Sequence, residues 1–557
     1  VDVSFLLDAP AGANGFVRVQ GGHLAKPNGT RLRLWGVHLT DWSRGSVLLP
    51  PKEDIPMWAG TLARYGVNCV RLHFIDLDAP RGIIAAGGTD SRHLDPQQLD
   101  RLDFLVSELK KRGIYVDLNL NVGRSYKAGD GVQDFDKIRW GKGLVLYDPR
   151  LIELEKEYAK QILTHVNPYT NNEYRNEPSV AIVEILNENG LWVGFNAPTP
   201  YYDEELTTQY NAWLEKKRTP AEVQRLREIT GVTADAPIPR LNGSEVGSAP
   251  KERYNAEMSF IGDVESTFYH DMAGYLKNTL GVKVPITGTA DHSHSGSSYP
   301  MLSTLKQLDV MDGHVYWQHP GSPPPVNTPM VNDPLHSTIV QLSRTAMEDK
   351  PYTVSEVNHP FPNDWASEGI PILAAYGSFQ DWDAIILYTF EPKKDSAWSH
   401  SAVAWHSHFV ARWPAHGRFL GVRCDATAIG YQGACVVHVA TEYRARDGGD
   451  RPDASAHWIC KGQRHVAEES LREYRQHVCQ CGAGVDGLPS AIACVADVVV
   501  CRLASNEHGF EMERRTYADV RSGWVAVVDR ASHRRSCPSQ SRRSDYGCDC
   551  IGARWIR

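Results

Sequence analysis

Long hydrophobic runs and a basic stripe are both missing from this 557-residue chain. No apolar stretch approaches the roughly 18 residues that a membrane helix needs, so we expect no membrane partner. The net charge of −8, without a basic stripe, argues against nucleic acid as a partner. A Gly-x-Gly-x-x-Gly motif after the first predicted strand is also missing, which argues against a dinucleotide-binding open sheet.

Cysteine and lysine divide the chain into two parts of different composition. Only Cys69 precedes residue 424, whereas the other ten of the eleven cysteines lie between Cys424 and Cys550. Residues 1–414 contain 18 Lys and 21 Arg, but the remainder contains a single lysine, Lys461, with 19 Arg. This change predicts a boundary near residue 414. Beyond it the regular strand alternation of a β-sandwich is missing.

Two hypotheses explain the composition of residues 415–557. A segment rich in Arg, Ala, Gly, Cys and Ser, with almost no Lys, is what a GC-rich gene yields when it is translated in the wrong frame. Alternatively, its ten cysteines form the disulfides of a small domain in an oxidising compartment. Intact mass before and after reduction separates the two hypotheses, and we assign no function to this segment.

The first 414 residues alternate short apolar runs with helical patterns, which indicates βαβ units around a parallel sheet. The helical period is clearest over Asp100–Arg112 and Leu151–Leu163. Eight strands in about 360 residues predict a (β/α)8 TIM barrel, with a doubly wound open sheet as the alternative. The predicted strands are Leu32–Leu39, Cys69–Ile75, Tyr115–Asn121, Val180–Leu186, Val284–Thr287, Val310–Tyr316, Tyr352–Ser355 and Ala384–Thr389.

Three segments are predicted from these patterns. Residues 1–30 form a short β-hairpin cap on the bottom of the barrel, with one strand from Gly15 and a second after a glycine turn at Asn28–Gly29. Residues 31–414 form the catalytic barrel, and residues 415–557 form an irregular C-terminal segment. The longest excursion between strands runs from Asn189 to about Pro250. Such a loop either builds substrate specificity or is an ordinary helical insertion.

Two glutamates, Glu188 and Glu356, close apolar runs that are typical of β-strands. The carboxyl ends of parallel strands meet on one face of a barrel, so both carboxylates are expected to face one cavity. A retaining glycosidase needs such a pair, since one carboxyl group donates a proton to the leaving oxygen while the other attacks the anomeric carbon. Strand alternation predicts that Glu184, Leu186 and Glu188 share the inward face, with Glu184 paired and structural rather than catalytic.

The sequence Glu-Ile-Leu-Asn-Glu at residues 184–188 resembles the acid/base motif of clan A glycoside hydrolases, most nearly the cellulase-like family 5. In that clan the acid/base follows strand four and the nucleophile follows strand seven. The resemblance covers about residues 15–410 and implies that Glu188 is the acid/base and Glu356 the nucleophile. The negative charge of Glu356 is then expected to keep a proton on Glu188.

Further motifs lie where the resemblance implies substrate-binding residues. Arg71 resembles the strand-two arginine that pairs with the nucleophile, and His314 and Tyr316 resemble the strand-six His-x-Tyr that lines the sugar site. Asn187 offers an amide that can bind a sugar hydroxyl. Three of these have another interpretation, Arg71 as the partner of a different buried carboxylate, and His314 and Tyr316 as core residues. Additional candidate contacts, each equally consistent with simple packing, are His73, Trp317 and Trp398.

Three positions depart from the family pattern. Asn189 follows the acid/base where Pro or an aliphatic residue is usual, and Asn119 stands in strand three where His is frequent. Strand eight lacks its usual Trp, which Trp398 could replace. His292 and His294 have no third partner, which predicts a solvated loop rather than a metal site. Other side chains near strand ends that could touch a sugar are His38, Asp41, Trp42, Trp192 and Trp365.

We therefore expect a retaining β-glycosidase, in first place an endo-β-1,4-glucanase or mannanase. The alternatives are an exo-acting β-glucosidase or β-galactosidase and a non-catalytic carbohydrate-binding barrel. The expected partner is an oligo- or polysaccharide. The chemistry implies no metal and no organic cofactor, and the sequence does not indicate an oligomeric state. We expect a secreted or periplasmic protein, although the opening Val-Asp-Val-Ser carries no signal peptide.

Overall fold

A computed structural model describes residues 2–39, 49–191, 198–290, 298–318, 327–359 and 363–390, except for the side chains of 298–300 and 366, and the backbone of short strands beyond residue 390. Two short hairpins lie outside the main sheet, β1 (Arg18–Gln20) with β2 (His23–Ala25) and β6 (Val166–Asn167) with β7 (Asn172–Glu173). The main sheet consists of β3 (Leu34–Leu39), β4 (Cys69–Leu72), β5 (Tyr115–Asn121), β8 (Val180–Leu186), β9 (Ile286–Thr287), β10 (Met311–Tyr316), β11 (Tyr352–Asn358) and β12 (Ala384–Phe390).

The main sheet is a nearly closed parallel barrel. From β3 to β9 and from β10 to β12 each barrel strand pairs in parallel with the next, and β12 pairs with β3. A parallel bridge between Thr287 and Val310 joins β9 to the residue that precedes β10. The predicted (β/α)8 fold is confirmed, and the doubly wound alternative is wrong because the eighth barrel strand pairs with the first. All eight predicted strands are present, and β5 and β8 have the predicted bounds.

Helices follow the barrel strands and cover the outside of the sheet. The two predicted helices are present as α2 and α3, and their starts have a local cause. Asp95 and Asp148 accept backbone N–H groups of the first helical turn, and a proline follows each of them. The described helices are α1 (Ile55–Arg64), α2 (Pro96–Lys111), α3 (Pro149–Leu163), α4 (Pro200–Lys217), α5 (Pro220–Thr230), α6 (Lys251–Gly274), α7 (Ser298–Leu305), α8 (Thr338–Ser343) and α9 (Ala366–Phe379).

The N-terminal hairpin closes the bottom of the barrel. Its turn is Gly21–Gly22, where both residues have positive φ, and the Leu24 N–H donates to the Asp383 carboxylate just before β12. The predicted turn at Asn28–Gly29 is a second turn, which brings Arg31 beside Ala25. Side chains of the hairpin and of the lower barrel form one small apolar core. It consists of Ala11, Val17, Leu24, Leu32, Leu34, Cys69, Tyr115, Ala181, Ile182, Val310, Ala384 and Ile386.

The excursion after β8 is helical where it is described. It contains α4 and α5 before α6 returns the chain to the barrel. Among the described residues, no helix has the length and apolar character required to cross a membrane.

Antiparallel strand pairs are described in the C-terminal segment, but the two hypotheses for its origin remain predictions. The strands are β13 (Leu420–Cys424), β14 (Val436–Thr441), β15 (Ala454–Ile459), β16 (Val500–Asn506), β17 (Gly509–Arg515), β18 (Val525–Asp529) and β19 (Gly552–Ile556).

Removal of the α2 cap should destabilise the barrel. In Asp95→Ala the N–H groups of Gln97 and Gln98 lose their acceptor, which should lower the free energy of unfolding by about 1 kcal/mol. Asp95→Asn keeps an acceptor oxygen and should lose less. Urea unfolding of the three proteins measures the difference, and equal stability of Asp95→Ala and wild type would contradict the capping role.

Candidate active site

Glu188 lies just beyond the regular part of strand β8. The strand ends at Leu186, and Glu188 has φ 44°, in the left-handed region that costs a non-glycine residue about 1–2 kcal/mol. Glu184 and Asn187, three positions apart, both contact the same inward-facing arginine. The side chains of Glu184 and Glu188, predicted to point inward, contact groups inside the barrel, and so does Asn187, which strict alternation would turn outward.

Glu356 lies inside strand β11, which continues to Asn358 rather than ending at the predicted residue. It pairs in register with His314 of β10, and the register between these strands shifts between Asp312 and His314. The shift gives β11 one extra residue, so Ser355 and Glu356, although adjacent, both contact groups inside the barrel.

Arg71 joins the strands at the centre of the barrel. Its side chain is fully buried and makes a two-pronged contact with Glu184, with Nε to Oε2 at 2.8 Å and Nη2 to Oε1 at 2.7 Å. Nη1 donates to Glu356 Oε1 at 2.8 Å, and Nη2 donates to Asn187 Oδ1 at 2.9 Å. Arg71 thus matches both of its proposed roles, as partner of Glu356 and as partner of a deeper carboxylate. Burial alone would lower the pKa of Arg71, but the charges of Glu184 and Glu356 outweigh burial and raise it.

The two oxygens of Glu356 have different donors. Oε1 accepts from Arg71, and His73 Nε2 lies 3.5 Å from the same oxygen. Oε2 accepts the Tyr316 hydroxyl at 2.7 Å. The side chain is only 7% exposed, so solvent has little access to either oxygen.

His314 connects the two candidate carboxylates. Its Nδ1 lies 2.8 Å from Glu188 Oε1 and 3.8 Å from Glu356 Oε2. Its Nε2 lies 2.7 Å from Ser355 Oγ, which donates in turn to Asp312. Burial lowers the pKa of His314, but the charge of Glu356 and the hydrogen bond to Glu188 outweigh burial and raise that pKa to about 9. At neutral pH the imidazolium can donate from both ring nitrogens.

The separation of the two carboxylates decides which hydrolytic stereochemistry the site fits. An oxygen of Glu188 and an oxygen of Glu356 lie within 4.8 Å of each other. Retaining enzymes hold their carboxyl groups about 5–5.5 Å apart, whereas inverting enzymes leave about 6.5–9.5 Å for a water molecule. An oxygen pair within 4.8 Å fits the retaining arrangement better than the inverting one.

Two groups of three side chains bring possible metal ligands close together, His38 with His73 and Glu356, and Glu188 with His314 and Glu356. Both groups share Glu356, whose Oε1 is held by the Arg71 guanidinium. A permanent positive charge at 2.8 Å from the shared ligand opposes a second cation there. The pKa values of His38 and His73 are also lowered, first by burial and second by the charge of Arg71. The expectation of a site without metal stays a prediction.

The other predicted contacts divide into three sets. Asn187 and His73 border the carboxylates, and His73 Nδ1 lies 2.9 Å from Oδ1 of Asn119, the residue that departs from the family pattern. Trp317 is largely buried and donates its indole N–H to a backbone carbonyl, whereas Trp365 is 48% exposed. Outside the described residues lie Trp398, Asp41, Trp42, Trp192, His292 and His294.

Several residues that contact the candidate site were not found from the sequence. Ser355 and Asp312 complete the His314 chain, and Lys142 Nζ lies 3.9 Å from Glu188 Oε2. Tyr388 of β12 places its ring edge-on against His38 at 4.9 Å and near Tyr316 at 6.2 Å. In the sequence, Tyr388 could have been found because it lies two residues beyond the buried Ile386, on the same face of the eighth barrel strand.

Comparisons with known proteins were made by sequence and by structure. No protein-family model matches the chain. Over 115 residues the chain is 30% identical to mannan endo-1,4-beta-mannosidase 5 of Arabidopsis thaliana, covering 18% of this chain and 26% of that protein. Over 105 residues it is 30% identical to mannan endo-1,4-beta-mannosidase 8 of Oryza sativa subsp. japonica, covering 17% and 27%. The chain thus spans about a quarter of the length of these relatives, and the resemblance to family 5 of clan A is confirmed.

Solved structures similar to the chain include the endo-1,4-beta-mannanase of Rhizomucor miehei, with a TM-score of 0.41 and 14% identity over 67% of this chain and 90% of that one. The endo-beta-1,4-mannanase of Thermotoga petrophila has a TM-score of 0.41 and 13% identity over 74% of this chain and 84% of that one.

The raised pKa of His314 should make stability depend on pH. A pKa of about 9 in the folded state, against 6.5 ordinarily, means that protonation stabilises the fold. This contribution is fully present below pH 6.5 and is lost as pH rises towards 9. The stability advantage of wild type over His314→Gln should therefore shrink between these values in urea unfolding. His270→Gln, at an exposed position on α6, is the control for loss of an imidazole elsewhere in the protein. A constant advantage of wild type over His314→Gln would contradict this assignment.

Proposed function

We propose that this protein is a retaining, endo-acting glycoside hydrolase that cleaves β-1,4-linked polysaccharides. The observation that carries the proposal is the pair of carboxylates, Glu188 and Glu356, within 4.8 Å of each other at the carboxyl ends of the fourth and seventh barrel strands. Their surroundings differ in a way that suits two different roles. Glu356 is 7% exposed and held by Arg71, whereas Glu188 is 20% exposed and held by His314.

In the first step Glu356 is the nucleophile. Its oxygen forms a bond to the anomeric carbon while the bond from that carbon to the leaving oxygen breaks, and Glu188 gives that oxygen a proton. Arg71 and Tyr316 hold the Glu356 carboxylate in place, so little reorganisation is needed when it attacks. The short gap between the carboxylates leaves no room for water to attack directly.

In the second step Glu188 is the base. It takes a proton from a water molecule, whose oxygen then displaces Glu356 from the anomeric carbon and restores both carboxyl groups to their starting states. His314, 2.8 Å from Glu188 Oε1, keeps that carboxylate in place for both transfers. Two inversions at one carbon give net retention.

The favoured substrate is β-1,4-mannan. The support is that the curated relatives are named as mannan endo-1,4-beta-mannosidases, over part of their length. A β-1,4-glucan is the second candidate, since the sequence motifs alone do not separate the two. An exo-acting glycosidase and a non-catalytic sugar-binding barrel remain the alternative functions. The presence of Arg71 and both carboxylates in one connected network favours catalysis over binding alone.

Loss of either carboxylate should lower turnover by orders of magnitude. Glu188→Ala should lose roughly 10²–10⁴-fold in rate on an unactivated substrate, because proton transfer is lost. Glu356→Ala should lose more, because the covalent intermediate cannot form. Azide should restore product formation on an activated aryl glycoside. The glycosyl azide should have inverted configuration from Glu356→Ala and retained configuration from Glu188→Ala, as read by NMR.

Exposed Glu348 provides the matched control, since it precedes the amino end of β11, opposite the carboxyl ends that carry the site, and Glu348→Ala should keep wild-type turnover. Wild-type rates in both site variants, or azide products with the configurations exchanged, would refute the assignment of roles.

A substrate panel should identify both the sugar and the mode of attack. We expect β-1,4-mannan to be cut internally, so that viscosity falls early and oligosaccharides of several lengths appear together. β-1,4-Glucan, as carboxymethyl cellulose, should react more slowly. Release of monosaccharide alone would indicate an exo-acting enzyme. Binding of mannan without hydrolysis, and without phenol release from aryl β-glycosides, would indicate a sugar-binding barrel.

A further inference from the structure

The backbone that carries Glu188 is held by side chains from three other parts of the barrel. Asn189, the next residue, is 2% exposed and is bound at three points. Its N–H donates to Thr289 Oγ1 at 3.0 Å, its Oδ1 accepts the Gly143 N–H at 2.7 Å, and its carbonyl accepts the Tyr269 hydroxyl at 3.2 Å. Thr289 and Tyr269 are 1% and 0% exposed, so solvent does not compete for these bonds.

The three partners come from separate elements. Thr289 follows β9, Gly143 lies in the connection between β5 and α3, and Tyr269 is on α6. One turn before Tyr269 on the same helix, the buried carboxylate of Glu265 accepts the Leu191 N–H at 2.7 Å. The main chain from Asn189 to Leu191 is therefore fixed on both sides.

The need for this support follows from where Glu188 lies. Glu356 lies within β11 and pairs in register with His314 of β10, so a neighbouring strand fixes its backbone. Glu188 lies beyond the end of β8 and has a left-handed φ of 44°, which an unsupported chain would tend to leave. A set of buried polar side chains takes the place of the missing strand neighbours at this point.

We propose that Asn189, Thr289 and Tyr269 are positioning residues that hold the Glu188 carboxyl where it can exchange a proton with the leaving oxygen. This proposal rests on the proposed function, because it assumes that Glu188 is the acid/base. Proton transfer requires the two heavy atoms to come within hydrogen-bond distance, and a displacement of about 1 Å can cost about 10²-fold in rate. None of the three residues needs to touch the sugar for this effect.

Thr289 offers a matched pair of variants. Thr289→Val removes the hydroxyl that accepts the Asn189 N–H and keeps nearly the same volume, whereas Thr289→Ser keeps the hydroxyl. Tyr269→Phe removes the donor to the Asn189 carbonyl from a different element. Each variant is first titrated with a fluorinated glycoside that traps the glycosyl-enzyme, so that rates are expressed per competent site.

The diagnostic readout is kcat/KM on two substrates that differ in their need for a proton. Dinitrophenolate leaves a glycoside without being protonated, whereas the leaving sugar of an oligosaccharide must first receive a proton. In Thr289→Val, kcat/KM for the oligosaccharide should fall about 10- to 100-fold, with little change for the dinitrophenyl glycoside. Thr289→Ser should stay near wild type on both. In Tyr269→Phe, kcat/KM should fall for the oligosaccharide alone. If Thr289→Val does not fold, the result for Tyr269→Phe decides the test.

Glu188→Ala, measured in parallel, separates a failure of the positioning proposal from a failure of the role assigned to Glu188. It should show the same difference between substrates, only larger. If it shows none, the role of Glu188 is wrong and the positioning proposal falls with it. If Glu188→Ala shows the difference but Thr289→Val and Tyr269→Phe lose equally on both substrates, or lose nothing, the positioning role alone is overturned.

Discussion

The contacts of one buried guanidinium, Arg71, hold the centre of this barrel together. It extends from β4 and donates to Glu184 and Asn187 on one side and to Glu356 on the other. A fully buried charge is tolerated only when its partners are close and correctly oriented, since removal of one partner leaves an uncompensated charge that costs several kcal/mol. Arg71 therefore ties the second, fourth and seventh strands to one geometry, and the Glu356 carboxylate is placed by the same contacts that stabilise the core.

The two candidate catalytic carboxylates are held in position by different kinds of contact. Glu356 is a strand residue whose backbone is fixed by the sheet and whose oxygens are bound by Arg71 and Tyr316. Glu188 lies outside the sheet and depends on side chains instead, with His314 at its carboxyl group and Asn189 on its backbone side. This difference suits the chemistry, because a nucleophile needs a fixed line of attack, whereas an acid/base must face the leaving oxygen in one step and a water molecule in the next.

The sequence predicted the eight strands well because each is a short apolar run bounded by polar or glycine-rich segments. It predicted their carboxyl ends less well. Strand β11 continues through Ser355, Glu356 and Asn358, polar residues whose partners come from other strands. The register shift that turns Ser355 inward has no local signal, and neither does the left-handed backbone of Glu188. Such features depend on partners that are distant in the chain, as when Asn189 binds a hydroxyl 100 residues away.

The inner face of the barrel changes from apolar to charged along β4 and along β8. Residues two apart on a strand share a face, so the step from Cys69 to Arg71 on β4, or from Ile182 to Glu184 on β8, passes from the sealed apolar bottom into the charged layer. Because the N-terminal hairpin and its core exclude water from below, the charged layer sits in a region of low dielectric, where each ion pair is stronger and each unpaired charge more costly. The cap, far from the carboxylates, thus supports the strength of the contacts through which Arg71 holds Glu356.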